Sequence, residues 1–231
     1  MGEKSVKAGA SRSKLVAVID SAGALTQATR LRRPPDLFEL RLDALRHSLG
    51  QVTRAISKLR APLIITARHP REGGRGGLDL ARRRVLLGRF LEYAAFVDLE
   101  LRSVRQMTAL IHQVRRQHIG LILSFHDFHD TPAPFELRRK AKSAAAAGAT
   151  IFKIVTRTNT PAQLARLISF FEASRPPLPI AAMGMGKLGL VSRRRLAQLG
   201  SPLTYVALGD ATIEGQPSLS QLHGIRRAYT I

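Results

Sequence analysis

A chain of 231 residues, 45% of them hydrophobic, can bury one sizeable core, and a single α/β barrel would use nearly all of it. It has no cysteine, which excludes disulfides, thiolate metal sites and a cysteine nucleophile. Lys and Arg number 37 against 16 Asp and Glu, a net charge of +21, so the chain is either a binder of nucleic acid or anionic surfaces, or a protein with a basic solvated surface whose field attracts a small anionic substrate.

The distribution of the charge favours the second reading. Basic clusters are spread along the chain, as in Arg82-Arg83-Arg84, Arg115-Arg116, Arg138-Arg139-Lys140 and Arg193-Arg194-Arg195. No aromatic residues interleave with them to make a base-stacking platform, so nucleic acid is not the expected partner. Residues 1–14 read as a basic, flexible N-terminal tail with no apolar segment behind it, so no signal peptide is expected. No stretch approaches the ~18 uninterrupted apolar residues of a membrane span, and a cytoplasmic place is the default.

From residue 15 onward, short apolar runs alternate with longer amphipathic stretches. LVAVI (15–19) is followed by the helical pattern ALTQATRLR, LFELRL (37–42) by QVTRAISKLR, and PLIITAR (62–68) by LDLARRRVLLGRFLEY. AFVDLEL (95–101) precedes VRQMTALIHQVRRQ, and GLILSFH (120–126) precedes PFELRRKAKSAAAAGA, which opens on a proline and stops at Gly148. TIFKIVT (150–156), PIAAM (179–183) and TYVAL (204–208) lead into TPAQLARLISFFEA, SRRRLAQLG and SLSQLHGIRRAY. Most of the runs are rich in Val, Ile and Leu and have the length of buried parallel strands. Eight strands alternating with eight helices predict an α/β fold, a (β/α)8 TIM barrel forming one catalytic domain over 15–231. A doubly wound open sheet is the structural alternative. In a barrel, the active residues belong at the C-terminal ends of the strands and in the loops after them.

The polar residues concentrate there. Glu39 and Arg41 are two apart in LFELRL, so they share a face that can be the lumen; a structural ion pair is the simpler reading, and Asp43 follows at the loop. Arg68 ends the third run, and Glu72-Gly73-Gly74 suits either a tight loop approaching a ligand or a plain surface turn. Asp98 and Glu100 read as lumen-facing supports or strand-end caps. His126 closes the fifth run. A lone histidine there is more often a satisfied core residue, and the His126/His129 pair lacks the further ligands of a metal site, so no metal is expected.

Lys153 is the most informative residue. It lies inside the apolar, β-branched TIFKIVT, where lysine is rarely buried without a partner or a purpose. Facing an apolar lumen, desolvation and nearby positive charge would favour its neutral, nucleophilic form, the condition for Schiff-base chemistry; a strand-end lysine reaching solvent is the alternative. Gly184, Gly186 and Gly189 form a GxGxxG after a strand and before a helix. Its place near the C-terminus argues against a dinucleotide site and for a loop around an anionic substrate, with Arg193 placed to grip a carboxylate. Thr212 and Glu214-Gly215-Gln216 can close the same pocket.

Together these segments resemble type I 3-dehydroquinate dehydratase. The resemblance runs over about residues 15–226, through ELRLD, TxRxxxEGG, VDLEL, SFHDF, FKIVT, MGxxGxxSR, GSPLTY and the terminal GQ. It implies a lyase of the shikimate pathway of aromatic amino-acid biosynthesis that takes 3-dehydroquinate to 3-dehydroshikimate by syn elimination. It further implies a homodimer and no metal or organic cofactor. Lys153 would form the imine, His126 would be the general acid/base, and Glu72 would support it. Glu39, Arg41 and Arg68 would hold substrate hydroxyls and order the pocket, and Arg193 and Gln216 would bind the carboxylate. Where the family has SAPGQ, this chain has Thr212-Ile213-Glu214-Gly215-Gln216. Thr212 keeps the hydroxyl, while Glu214 removes a proline restraint and is expected to put a negative charge near an anionic substrate. The rival readings are another lysine-imine barrel of the class I aldolase kind, and a basic nucleic-acid-binding barrel with a vestigial pocket.

Overall fold

The computed structural model describes residues 12–173, 178–209, 213–219 and 221. Its strands are β1 (Lys14–Ile19), β2 (Leu37–Arg41), β3 (Leu63–Thr66), β4 (Ala94–Glu100), β5 (Gly120–Asp127), β6 (Ile151–Arg157), β7 (Ile180–Met185) and β8 (Leu203–Ala207). The helices between them are α1 (Ala22–Arg30), α2 (Leu49–Ala55), α3 (Leu80–Arg89), α4 (Thr108–Arg116), α5 (Pro134–Ala146), α6 (Pro161–Ala173) and α7 (Gly189–Gln198). Each expected strand is present within a few residues of its predicted bounds. Three helical stretches come out shorter: QVTRAISKLR tightens into a 3-10 turn at Ile56–Lys58, LDLARRRVLLGRFLEY ends in one at Leu91–Tyr93, and the stretch before α4 is 3-10 over Leu101–Met107. The eighth expected helix falls almost entirely outside the described residues.

The strands run in the order β7-β6-β5-β4-β3-β2-β1-β8, and every pair is parallel. Pairing of β1 with both β2 and β8 excludes the doubly wound alternative and gives a nearly closed barrel. Among the described residues no ladder joins β7 to β8. Side chains bridge this seam instead: Ser201 Oγ accepts from the Ala182 amide at 3.2 Å, and Arg193 Nη1 reaches the Tyr205 carbonyl at 3.1 Å and Met183 Sδ at 3.3 Å.

Period-two alternation sorts each strand's side chains into two cores. Leu15, Ala17, Ile19, Phe38, Leu40, Ile65, Val97, Leu99, Leu121, Leu123, Phe152 and Ile154 pack outward against the helices. Val16, Leu37, Ile64, Ile122, Ile151, Ala181 and Leu203 face inward and seal the barrel near the strand N-termini. Two residues further along, the inward positions become Glu39, Thr66, Asp98, Ser124, Lys153, Met183 and Tyr205. The lumen therefore changes from apolar to polar along its axis. Barrel closure carries these distant polar residues to the C-terminal mouth.

Candidate active site

One cavity of about 240 Å³ at this mouth is lined by Glu39, Arg41, Arg68, Glu72, His126, Lys153, Arg193 and Gln216 among others. Eight of the nine expected site residues thus meet in one place. The ninth, Thr212, lies outside the described residues.

Arg68 organises the floor. Its guanidinium forks onto Asp98 at 2.9 and 2.8 Å and also reaches Glu100 at 3.2 Å, Ser124 Oγ at 2.6 Å and Glu39 at 3.4 Å. Burial works against this charge, but Asp98, Glu100 and Glu39 more than offset it and raise the Arg68 pKa. Burial also works against ionised Asp98, yet Arg68 and Lys153 hold its carboxyl well below the usual range. Glu100 is fixed in turn by Arg83, by Ser103 at 3.1 Å and by the His69 amide at 2.8 Å. Asp98 and Glu100 are the lumen-facing supports the alternation suggested.

Lys153 is 3% exposed, so it does not reach solvent as a strand-end lysine would. Its lumen is not the apolar one expected. Nζ lies 3.0 Å from Asp98 and 3.5 Å from Glu39, and 3.8 Å above the centre of the Tyr205 ring. The departure has a simple cause: β2, β4 and β6 each present their charged inward residue at the same level of the barrel, so the amine is buried among charges.

His126 and Glu72 form a pair. Glu72 Oε2 is 3.0 Å from both the His126 backbone amide and Nδ1. Burial, then the charges of Arg68 and Lys153, push the His126 pKa well below its ordinary value, so the ring is neutral at neutral pH. Burial, then the Glu100 charge, push Glu72 up to about 7. With Glu72 ionised, the Nδ1 proton points at the carboxylate and Nε2 is the basic nitrogen. His129 is exposed, and the described residues contain no cluster that could hold a metal.

Arg41 does not pair with Glu39. It forks onto Asp43 at 3.0 and 2.9 Å and donates to the Gly73 carbonyl at 3.1 Å, so it orders the loop after β3. Arg193, in the second turn of α7, is 4% exposed and has no acidic partner among the described residues, and its Nε makes no hydrogen bond. Burial alone lowers its pKa to about 10. A buried guanidinium facing a cavity without a counter-charge is a site for an anion.

The GxGxxG glycines serve loop packing. A Cβ on Gly189 would lie 2.9 Å from the Gly215 Cα, and one on Gly215 would lie 2.5 Å from the Gly186 carbonyl oxygen. The loop after β7 and the loop near Gln216 therefore pack backbone to backbone, which brings Ile213 and Gln216 to the cavity wall. Glu214 corrects an expectation. It is half exposed and directed at Arg157 Nη1, 3.6 Å away, rather than at the anion site. Sequence reasoning passed over Tyr205 and Ser124. Both occupy inward positions of their strands, and that alternation was the signal available for finding them.

Fold and site together define a class: a TIM-barrel enzyme whose mouth holds a buried amine, a histidine–carboxylate pair and a receptor for a small anion. The model of the type I 3-dehydroquinase family matches residues 15–231, and the chain belongs to that family. It is 33% identical over 203 residues to the 3-dehydroquinate dehydratase of Desulfotalea psychrophila, across 84% of this chain and 87% of that one. It is also 33% identical over 192 residues to that of Pyrococcus abyssi, across 82% and 86%. The crystal structure of 3-dehydroquinate dehydratase from Geobacillus kaustophilus shares its fold, with a TM-score of 0.83 at 24% identity over 96% of this chain and 93% of that one. Membership selects the dehydratase over the aldolase-like and nucleic-acid-binding readings.

Proposed function

We propose that the chain is a hydro-lyase converting 3-dehydroquinate to 3-dehydroshikimate and water, with Lys153 as nucleophile and His126 as proton-transfer group. The observation that carries this reading is the co-location of Lys153, neutral His126 and the uncompensated Arg193 in one cavity. A substrate with a carboxylate at one end and a ketone at the other satisfies both ends of that cavity.

Lys153 gives up one ammonium proton, its Nζ adds to the C3 carbonyl, and the carbonyl oxygen leaves as water with that proton and a second from Nζ, giving a protonated imine, an electron sink that acidifies C2. His126 Nε2 removes a C2 proton, leaving an enamine. The enamine electrons expel the C1 hydroxyl, which takes the proton from His126 and departs as water, so one residue on one face serves a syn elimination. Addition of water to the protonated imine releases product and restores the lysine ammonium. Glu72 holds the His126 tautomer, Arg193 and Gln216 hold the carboxylate, and Glu39, Arg41 and Arg68 order the hydroxyl-bearing side of the pocket. None of these steps calls on a metal or an organic cofactor.

The same reading places the protein in the cytoplasm as a homodimer with a single catalytic domain over 15–231, on the strength of the family resemblance. In the described residues no helix is long and apolar enough to cross a membrane. Light scattering on the purified protein tests the dimer. The activity is tested by following 3-dehydroshikimate absorbance from 3-dehydroquinate, with borohydride added in a parallel sample. The expected result is turnover and a reduced adduct on the Lys153 peptide, both absent in Lys153→Ala. Lys153→Arg should not rescue, because a guanidinium cannot form the imine. Turnover without an adduct, or an adduct on another lysine, would overturn the assignment.

A further inference from the structure

The reaction makes a cation at Lys153 that differs from the one the free enzyme holds. The resting ammonium has three N–H donors and points them at Asp98 and Glu39, 3.0 and 3.5 Å away. A protonated imine has a single N–H, and its charge spreads over a planar C=N unit. It cannot satisfy both carboxylates through hydrogens, so part of their hold on the charge is lost as the imine forms.

Tyr205 lies where that loss can be offset. It is an inward residue of β8, 3% exposed, and its ring centre is 3.8 Å from Lys153 Nζ. Its backbone carbonyl accepts from Arg193 Nη1 at 3.1 Å, which ties the ring's position to the anion end of the pocket. Its hydroxyl is buried and finds no hydrogen-bond partner among the described residues. Burial, with the nearby Glu39 and Asp98 charges, keeps that hydroxyl protonated far above neutrality. The hydroxyl has no partner among the described residues, whereas the ring face already lies against the Lys153 amine. An aromatic face attracts a cation through its quadrupole and needs no N–H to do so.

We propose that Tyr205 is a catalytic residue whose ring face stabilises the protonated imine at Lys153. The proposal rests on the lysine-imine reading above and deepens it. The ring favours the charged imine over the neutral amine that attacks, because its hold on the charge does not depend on N–H donors. An interaction that stabilises the intermediate over the attacking amine raises turnover rather than affinity.

The experiment replaces Tyr205 in the full chain with phenylalanine and then with mono-, di- and trifluorinated phenylalanines, which keep the shape and progressively weaken the negative face. Tyr205→Phe, which keeps the ring face, is the reference for the series. Along the fluorinated series kcat and the fraction trapped by borohydride should fall stepwise, by ~10-fold overall, with KM and melting temperature nearly constant. Tyr205→Leu should fall at least as far. The fluorinated series carries the test if the leucine variant folds poorly. A series with flat kcat and trapping, in variants that fold and form adduct, would overturn the proposal, as would a large loss in Tyr205→Phe alone, which would assign the role to the hydroxyl. Absence of any Lys153 adduct in the parent enzyme would instead remove the imine reading on which the proposal rests.

Discussion

Glu72 is pulled in two directions. Burial and the Glu100 charge favour its neutral acid and raise it to about 7, while the amide and Nδ1 of His126 suit its anion. Only the anion holds the proton on Nδ1 and leaves Nε2 as the base. Turnover should therefore fall as pH drops through about 7, and this acid limb should vanish in Glu72→Gln at a lower overall rate; a pH–rate profile of both enzymes checks it. Stability moves the other way. The folded value lies above the ordinary 4.5, so stability is full below 4.5 and is lost as pH rises through about 7. At pH 8 the cost is about 3 kcal/mol, on the scale of ~1.4 kcal/mol per pH unit. Glu72→Gln should melt above the parent at pH 8, less the hydrogen bonding it gives up, and lose that advantage near pH 4. His126→Ala should cut turnover by ~10²-fold or more while the Lys153 adduct still forms. Arg193 shows the same conflict between function and stability. Its pKa is lowered to about 10 by burial, so its charge destabilises the fold at neutral pH and less so above pH 10. Arg193→Met should raise the melting temperature and raise KM by ~10²-fold. Arg193→Lys should also weaken binding, because an ammonium lacks the fork that matches a carboxylate.

At the scale of elements, the pocket depends on two loops meeting across the β7–β8 seam. Gly215 has φ 79°, a left-handed conformation, and a side chain there would strike the Gly186 carbonyl and the Gly189 Cα. Gly215→Ala should push Ile213 and Gln216 away from the cavity and raise KM about tenfold with a smaller change in kcat, an expectation scaled to the loss of one or two hydrogen bonds. Glu214 holds the same loop in another way. The Gly186 amide donates to its carbonyl at 2.8 Å, and its carboxylate faces Arg157. Since the charge points away from the anion site, Glu214→Gln should leave KM nearly unchanged at low and high salt. A drop in KM at low salt only would return Glu214 to the role the sequence suggested.

Across the whole molecule, a net charge of +21 surrounds a mouth whose one uncompensated buried cation is Arg193 among the described residues. Such a field raises the encounter rate of an anionic substrate and is screened once the Debye length shrinks to ~10 Å or less. kcat/KM should therefore fall severalfold between low and physiological salt, with kcat unchanged. A profile flat in salt would leave the charge with no part in substrate capture.

The alternation of eight apolar runs with amphipathic stretches determined the strands and helices of an α/β fold, because their periods are local properties of sequence; closure into a barrel rests on β1 pairing with β8. Lys153 was legible for a related reason: a lysine in a run of Val, Ile and Phe is rarely buried without a purpose. His126 taken alone read as a satisfied core residue, and its role came only with the family resemblance. The partners were not legible. Whether Lys153 faces apolar walls or Asp98 and Glu39 depends on which residues of β2, β4 and β6 reach the same level after closure, and register between distant strands is set by the barrel. The same holds for Arg41, which chose Asp43 over Glu39, and for Glu214, which chose Arg157 over the pocket. Local order follows from neighbours in the chain. Charge pairing follows from neighbours in space, and at this mouth those are up to 114 residues apart.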